Sequence, residues 1–214
     1  MAAFSRTTLR SAGETAAAVM AAGVASLALA NRSSGGPHAS SPGVRTADTS
    51  GSSAFARLHA AAPPKTWKSA TIASGGASLA YPADWRPIPG DIGTVTVALR
   101  DSKGLYHGYL NVTPRQGAEQ LAGWAAFRAR RNAEEGDHQT RIVSSVEGLR
   151  FAHARGSCAI DDYLSRVGSH AYRELACIVA GNHYTDVFVG AALRADWPRL
   201  GPVIERSAAA LTER

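Results

Sequence analysis

Cysteine is nearly absent: the 214 residues contain two, Cys158 and Cys177. Charge is sparse as well, at 19% of residues, and hydrophobic residues make up 45%, a globular composition able to bury a core. The net charge of +6 is not a property of the whole chain. From Thr66 onward, 17 lysines and arginines face 15 acids, so the excess sits in the N-terminal third. A nearly neutral domain lacks the basic surface that phosphate backbones require, which excludes a nucleic-acid role. No G-x-S-x-G elbow, H-E-x-x-H, P-loop or S-x-x-K is present, and no internal repeat. His107, His153, His170 and His183 fall near strand or turn ends, without the spacing of metal ligands. No cofactor, metal site or catalytic residue is therefore expected.

A long apolar run is missing too. The uncharged stretch from Thr15 to Ala30 is 16 residues, mostly alanine, shorter than the roughly 20 of a membrane-spanning helix. With Arg6 and Arg10 before it and Ala28-Leu29-Ala30 at its end, it reads as a cleavable secretory signal over 1–30. Ala28 and Ala30 supply the small residues of the cleavage site. Membrane attachment would follow only if this segment stayed uncleaved. No cysteine succeeds it, which excludes a lipoprotein anchor. Residues 31–65 are rich in Ser, Gly, Pro and Ala, with Val44, Phe55 and Leu58 as their only large apolar residues. Such a segment cannot offset its ordering entropy and is expected to be a disordered linker.

Residues 66–214 carry the pattern of one folded domain. Strands are expected over 67–73 and 77–81, joined at Ser74-Gly75-Gly76. Alternation over 94–99, a turn at Asp101-Ser102-Lys103-Gly104, and a return over 105–112 make a second hairpin. A helix is expected over 118–134, with Leu121, Trp124, Ala125 and Phe127 inward and Arg128, Arg130, Arg131, Glu134 and Glu135 in water. Four strands follow over 139–146, 149–164 (whole, or broken at Gly156), 171–180 and 183–193, with turns at Glu147-Gly148, Gly168-Ser169 and Gly181-Asn182. A last helix starts at Asp196, with Pro198 in its first turn. It buries Leu200, Val203, Ile204, Ser207, Ala208 and Leu211. Strand-rich hairpins with two helices indicate an α+β fold, an antiparallel sheet flanked by helices.

Cys158 and Cys177 fall on adjacent strands of one hairpin. With Val167-Gly168 as the turn they lie directly opposite, and Asp162 meets Arg173, Tyr163 meets Tyr172 and Asp161 meets Glu174. Turn chemistry favours Gly168-Ser169 instead, which sets the cysteines on a diagonal. Both registers keep them on one face, so a disulfide is expected, closing a loop of about 20 residues and worth roughly 3 kcal/mol in lost chain entropy. Asp161 and Asp162 point to opposite faces, one solvated and one paired with Arg173. Tyr106, His107 and Tyr109 follow a hairpin turn and are candidates for an exposed binding surface. Trp85, beside a proline at an element end, joins them, and Trp197 shares its position type.

Leu79-Ala80-Tyr81-Pro82-Ala83-Asp84-Trp85, followed by a hairpin, a helix, a strand-rich half and a terminal amphipathic helix, resembles the PsbP/Mog-like fold. The chain is similar in particular to its secreted actinobacterial branch of LpqN-type lipoproteins, without their lipobox cysteine. The resemblance covers 66–214 and implies an α/β/α sandwich with an accessory or partner-binding role rather than an enzymatic one. The expected protein is thus a secreted, monomeric, non-enzymatic binding module of the cell envelope, with an unknown protein or small molecule as partner. The alternatives are a secreted hydrolase with an unrecognised site, or an inhibitor presenting the 86–93 loop. Intact mass of the exported protein, taken without reductant, should show a chain starting at Asn31 and two hydrogens lighter than its reduced form. A full-length, reduced species would refute both expectations.

Overall fold

The computed structural model describes residues 54–213. The expected signal segment with Ala28 and Ala30, and the linker up to residue 53, lie outside the described residues. Two antiparallel sheets form. The smaller has the order β1-β2-β10, from β1 (Lys68–Thr71), β2 (Ala77–Tyr81) and β10 (Thr212–Glu213). The larger has seven strands: β3 (Arg86–Pro87), β4 (Val95–Arg100), β5 (Tyr106–Pro114), β6 (His138–Arg150), β7 (Arg155–Leu164), β8 (Ala171–Ala180) and β9 (Thr185–Leu193). Their order is β3-β4-β5-β9-β8-β7-β6. Helix α1 (Trp124–Glu134) packs on one face, over β6, β7 and β8. Helix α2 (Trp197–Ala209) and the small sheet cover the other. The architecture is the expected α+β one.

The main core lies on the α2 face. Val97, Leu110, Val112, Leu175, Phe188 and Ala192 meet Leu200, Ile204, Ala208 and Leu211 across it. These positions alternate along their strands because successive side chains point to opposite faces. Cys158 and Cys177 share this face, directly opposite one another, and are joined by a disulfide. Asp162 faces Arg173 and Tyr163 faces Tyr172, as the tighter register requires. That register coexists with positive φ at both Gly168 and Ser169. The connection runs over 165–170, closed by the Ser165 N–H donating to the His170 carbonyl, so the favoured turn residues sit inside a longer loop.

Several expectations about element bounds and burial need correction. The linker ends earlier than residue 65: Phe55 and Leu58 are buried in the main core, and the Ala61 N–H donates to the Ala209 carbonyl. Phe55 and Leu58, three residues apart, anchor a segment that composition alone marked as unstructured. Helix α1 starts at Trp124 rather than near 118, because Gly123 adopts φ 71°, a left-handed conformation that cannot continue a right-handed helix. Gly148 (φ 74°) does not turn the chain but sits in a register shift within one long strand, β6. The turn comes at 151–154, closed by the Phe151 N–H donating to the Ala154 carbonyl, and Gly156 just after it lacks the Cβ that would strike the Phe151 ring. Trp85 is buried, at 2% exposure, with its ring against Gly108. Proline-ended elements are exposed only where nothing packs over them, and here α2 does.

Strand β6 is an edge strand with register shifts at three places along its pairing with β7. Gly190 marks the closest approach of sheet and helix: a Cβ there would collide with the Ile204 methyl and crowd Leu110. Gly190→Ala should therefore destabilise the protein by about 1–3 kcal/mol through overpacking. Urea unfolding with an unchanged m-value would check this, and an unaltered midpoint would refute it.

Candidate functional site

Helix α1 leaves much of its sheet face uncovered, and a cleft of about 720 Å³ opens there. Its floor is apolar and aromatic: Tyr109 from β5, Trp124 from α1, Tyr163 from β7, and Val187 and Val189 from β9. Thr94, Thr96, Asn111 and Thr113 form a polar strip along β4 and β5, with Asn111 Nδ2 donating to Thr96 Oγ1 at 2.8 Å. Trp124 is held by its indole N–H, which donates to the Ala176 carbonyl at 2.9 Å. The 86–93 loop contributes Ile88, Gly90 and Asp91 to one wall, while Ile92 points fully into solvent.

The closed end of the cleft carries buried charge. Arg128 Nε and Nη2 donate to Glu174 Oε1 and Oε2 at 2.5 and 3.0 Å, both side chains being buried. Burial alone would lower the guanidinium's pKa, but the Glu174 charge and hydrogen bonds hold it well above its ordinary value. Directly across from Glu174 lies Asp161, fully buried, with Asn132 Nδ2 at 3.4 Å from its Oδ1. Burial, reinforced by the Glu174 charge, pushes the Asp161 carboxyl up to about 8. Asp137 accepts the Arg166 N–H on Oδ1 at 2.9 Å, while its Oδ2 has no partner. Burial raises its pKa and that of Glu135. The Tyr109 and Tyr163 hydroxyls meet at 3.1 Å, and burial lifts both phenols well above their usual range.

Of the residues singled out from sequence, Tyr106 and Tyr109 line the cleft. The Tyr106 carbonyl accepts from the Tyr172 hydroxyl at 2.7 Å. His107 serves the opposite side: Nδ1 lies 2.7 Å from Asp196 Oδ2 and Nε2 3.5 Å from Asp101 Oδ2. The Asp196 hydrogen bond, more than any other influence, raises the imidazole pKa. This staple ties the β4–β5 turn to the start of α2, and it explains why the Asp196 side chain does not cap its own helix. Trp197 is half-buried, whereas Trp85 does not reach the surface. The disulfide stands on the far side of the sheet from the cleft. Asp162 is paired as expected, with Arg173 at 2.7 Å and Arg141 at 3.0 Å, but Asp161 is not solvated.

Arg128 was read as a water-facing residue and is the centre of the site. Its position four residues after Trp124 and four before Asn132 places all three on one helix face. A second signal was the Asp161–Glu174 pairing, which needs a cation delivered by another element. Among the described residues no cluster of His, Cys, Asp and Glu could hold a metal ion, and no helix is long and apolar enough to cross a membrane.

Asp161→Asn should change how stability depends on pH. The wild-type carboxyl is raised in the folded state, so its contribution is intact below about pH 4 and is lost as pH climbs through 8. The variant should lack that decline and gain on the order of a few kcal/mol relative to wild type above pH 8. Parallel stability curves from pH 4 to 9 would refute the assignment.

No family model and no curated protein sequence matches the chain. Solved structures do match in shape. Cyanobacterial PsbP (CyanoP) from Synechocystis aligns over 71% of this chain and 94% of its own, with TM-score 0.51 and 15% identity. The Ran-binding protein Mog1p of Saccharomyces cerevisiae aligns over 67% and 86%, at TM-score 0.42 and 10% identity. LpqN of Mycobacterium tuberculosis, involved in cell envelope biogenesis, aligns over 68% and 89%, at TM-score 0.41 and 12% identity. A seven-stranded antiparallel sheet between helices, in the shape CyanoP shares, gives this chain the PsbP/Mog-like fold.

Proposed function

We propose that this is an exported, non-enzymatic binding module whose ligand sits in the cleft beside α1. The cleft carries the reading. At about 720 Å³ it falls within the range of small-molecule sites, and it joins an apolar floor to a few convergent polar groups. A disulfide is compatible with the oxidising environment outside the cell. The buried Arg128–Glu174 pair fixes one wall, because removing either partner would strand a charge.

A hydrolase is the second reading, favoured by one observation: Glu135 and Asp137 present carboxyls of raised pKa at the cleft. Such groups suit a general acid. Against it, Ser165, a lining hydroxyl, already donates to the Val167 carbonyl and accepts the His170 N–H. Its proton is committed to the loop.

Small molecules of neutral, cationic and anionic character should be titrated into the full oxidised chain and followed by amide NMR shifts. Shifts confined to cleft residues, and lost in Asn111→Trp, are expected. If no molecule perturbs the cleft, the binding reading fails. Multiple turnover of an ester or glycoside, abolished by Asp137→Asn, would replace it with the hydrolase.

A further inference from the structure

Cations gather where the β4–β5 turn and the β7–β8 loop meet the cleft, and on the binding reading above they narrow its ligand. The antiparallel order β4-β5-β9-β8-β7 brings both connections to one end of the large sheet. There the Tyr172 hydroxyl donates to the Tyr106 carbonyl at 2.7 Å. Arg100 and Lys103 line the cleft from the turn, and Arg166 lines it from the loop. Among the described residues, none of these side chains is paired with a carboxylate. Each is nevertheless held in place. The Lys103 N–H donates to Asp101 Oδ1 at 2.9 Å, and the Arg166 N–H donates to Asp137 Oδ1 at 2.9 Å. The Arg166 stem lies so close to Gly136 that a Cβ there would strike it. The Arg100 guanidinium sits over the Tyr106 ring, 5.8 Å from its centre. Attraction to a ring face does not use up a guanidinium's N–H donors as a bidentate carboxylate would.

The nearby acids are committed elsewhere. Asp101 meets His107, Glu135 lies 2.9 Å from Arg131, and Asp137 is buried behind the Arg166 backbone. Asp91 and Glu119 line the cleft beyond the far ends of β4 and β5, roughly 17 Å of strand away. Beside the cations, Leu105, Tyr106 and Tyr109 are half-buried and Val167 is exposed, so apolar surface adjoins the charge. Unspent positive charges of this number suit an anion with more than one charge and several acceptor oxygens. We propose that this end of the cleft binds a phosphate monoester of a ring-shaped organic group. Its oxygens sit on Arg100, Lys103 and Arg166, and its ring lies beside Tyr106 and Tyr109.

Naphthyl phosphate, naphthol and inorganic phosphate separate the ring from the charge. Calorimetry on the full oxidised chain should show naphthyl phosphate binding about tenfold more tightly than naphthol, with the gap shrinking as salt screens the charges. Inorganic phosphate, lacking the ring, should bind more weakly than the ester. Arg166→Gln and Lys103→Gln should each weaken the ester about tenfold. Arg150→Gln, which removes the same charge outside this cleft, should leave it unchanged. Sedimentation with phosphatidic acid vesicles, lost in Arg166→Gln, would place the monoester on a lipid; its absence would place it on a soluble molecule. Equal binding of the ester and naphthol would overturn the anion site while leaving a binding cleft. A loss in Arg150→Gln equal to that in Arg166→Gln would overturn it too, by showing attraction to overall charge. Inorganic phosphate as tight as the ester would overturn the ring contact. Silence from every molecule would overturn this proposal and the binding reading together.

Discussion

The pairing of β7 with β8 decides what both faces of the large sheet can be. With Cys158 opposite Cys177, and the two joined, no one-residue slip is possible without breaking a covalent bond. A slip would exchange faces for every side chain on the strand. In the observed register, Ile160 and Leu175 go to the α2 core, while Asp161 and Glu174 go beneath α1. Two acids brought together under a helix demand a cation from that helix, and Arg128 supplies it. On the other face, the same register sets Asp162 against Arg173. The disulfide thus acts on the cleft through the sheet, without touching it.

The cleft itself is a consequence of length. Helix α1 has 11 residues, about 16 Å of axis. Seven strands at about 4.8 Å spacing make a sheet close to 30 Å wide. One short helix cannot cover that width, and the left-handed Gly123 prevents it from extending toward its N-terminus. On the opposite face the small sheet and α2 share the task, so that face is closed. An asymmetric number of covering elements leaves one open bed.

Most of the fold was legible in the sequence because its signals are local. Alternation placed the β4–β5 hairpin, and counting from the loop gave two registers for the cysteines, of which the one pairing Asp162 with Arg173 is observed. The stripe from Leu200 to Leu211 gave α2 its buried face. What was hidden depends on partners distant in sequence. Phe55 and Leu58 looked too few to order a segment, since the surface they dock against is built more than a hundred residues later. Trp85 looked terminal because the α2 side chains above it cannot be inferred from its neighbours. Arg128 shares a helix with Arg130 and Arg131; its spacing from Trp124 sets it on the inward face, and the acids on the strands beneath give it a reason to stay there. Tyr106 and Tyr109 were found for a local reason, as rings after a turn, and the cleft they line could not be read from them.

The broken register of β6 bears on what happens at high concentration. An edge strand offers a free row of donors and acceptors, and a regular one invites a second chain to continue the ladder. Here a neighbouring molecule would meet a line whose hydrogen-bonding groups fall out of step three times in 13 residues. Growth of a shared sheet stops at the first mismatch, so this margin ends the lattice rather than seeding a fibre.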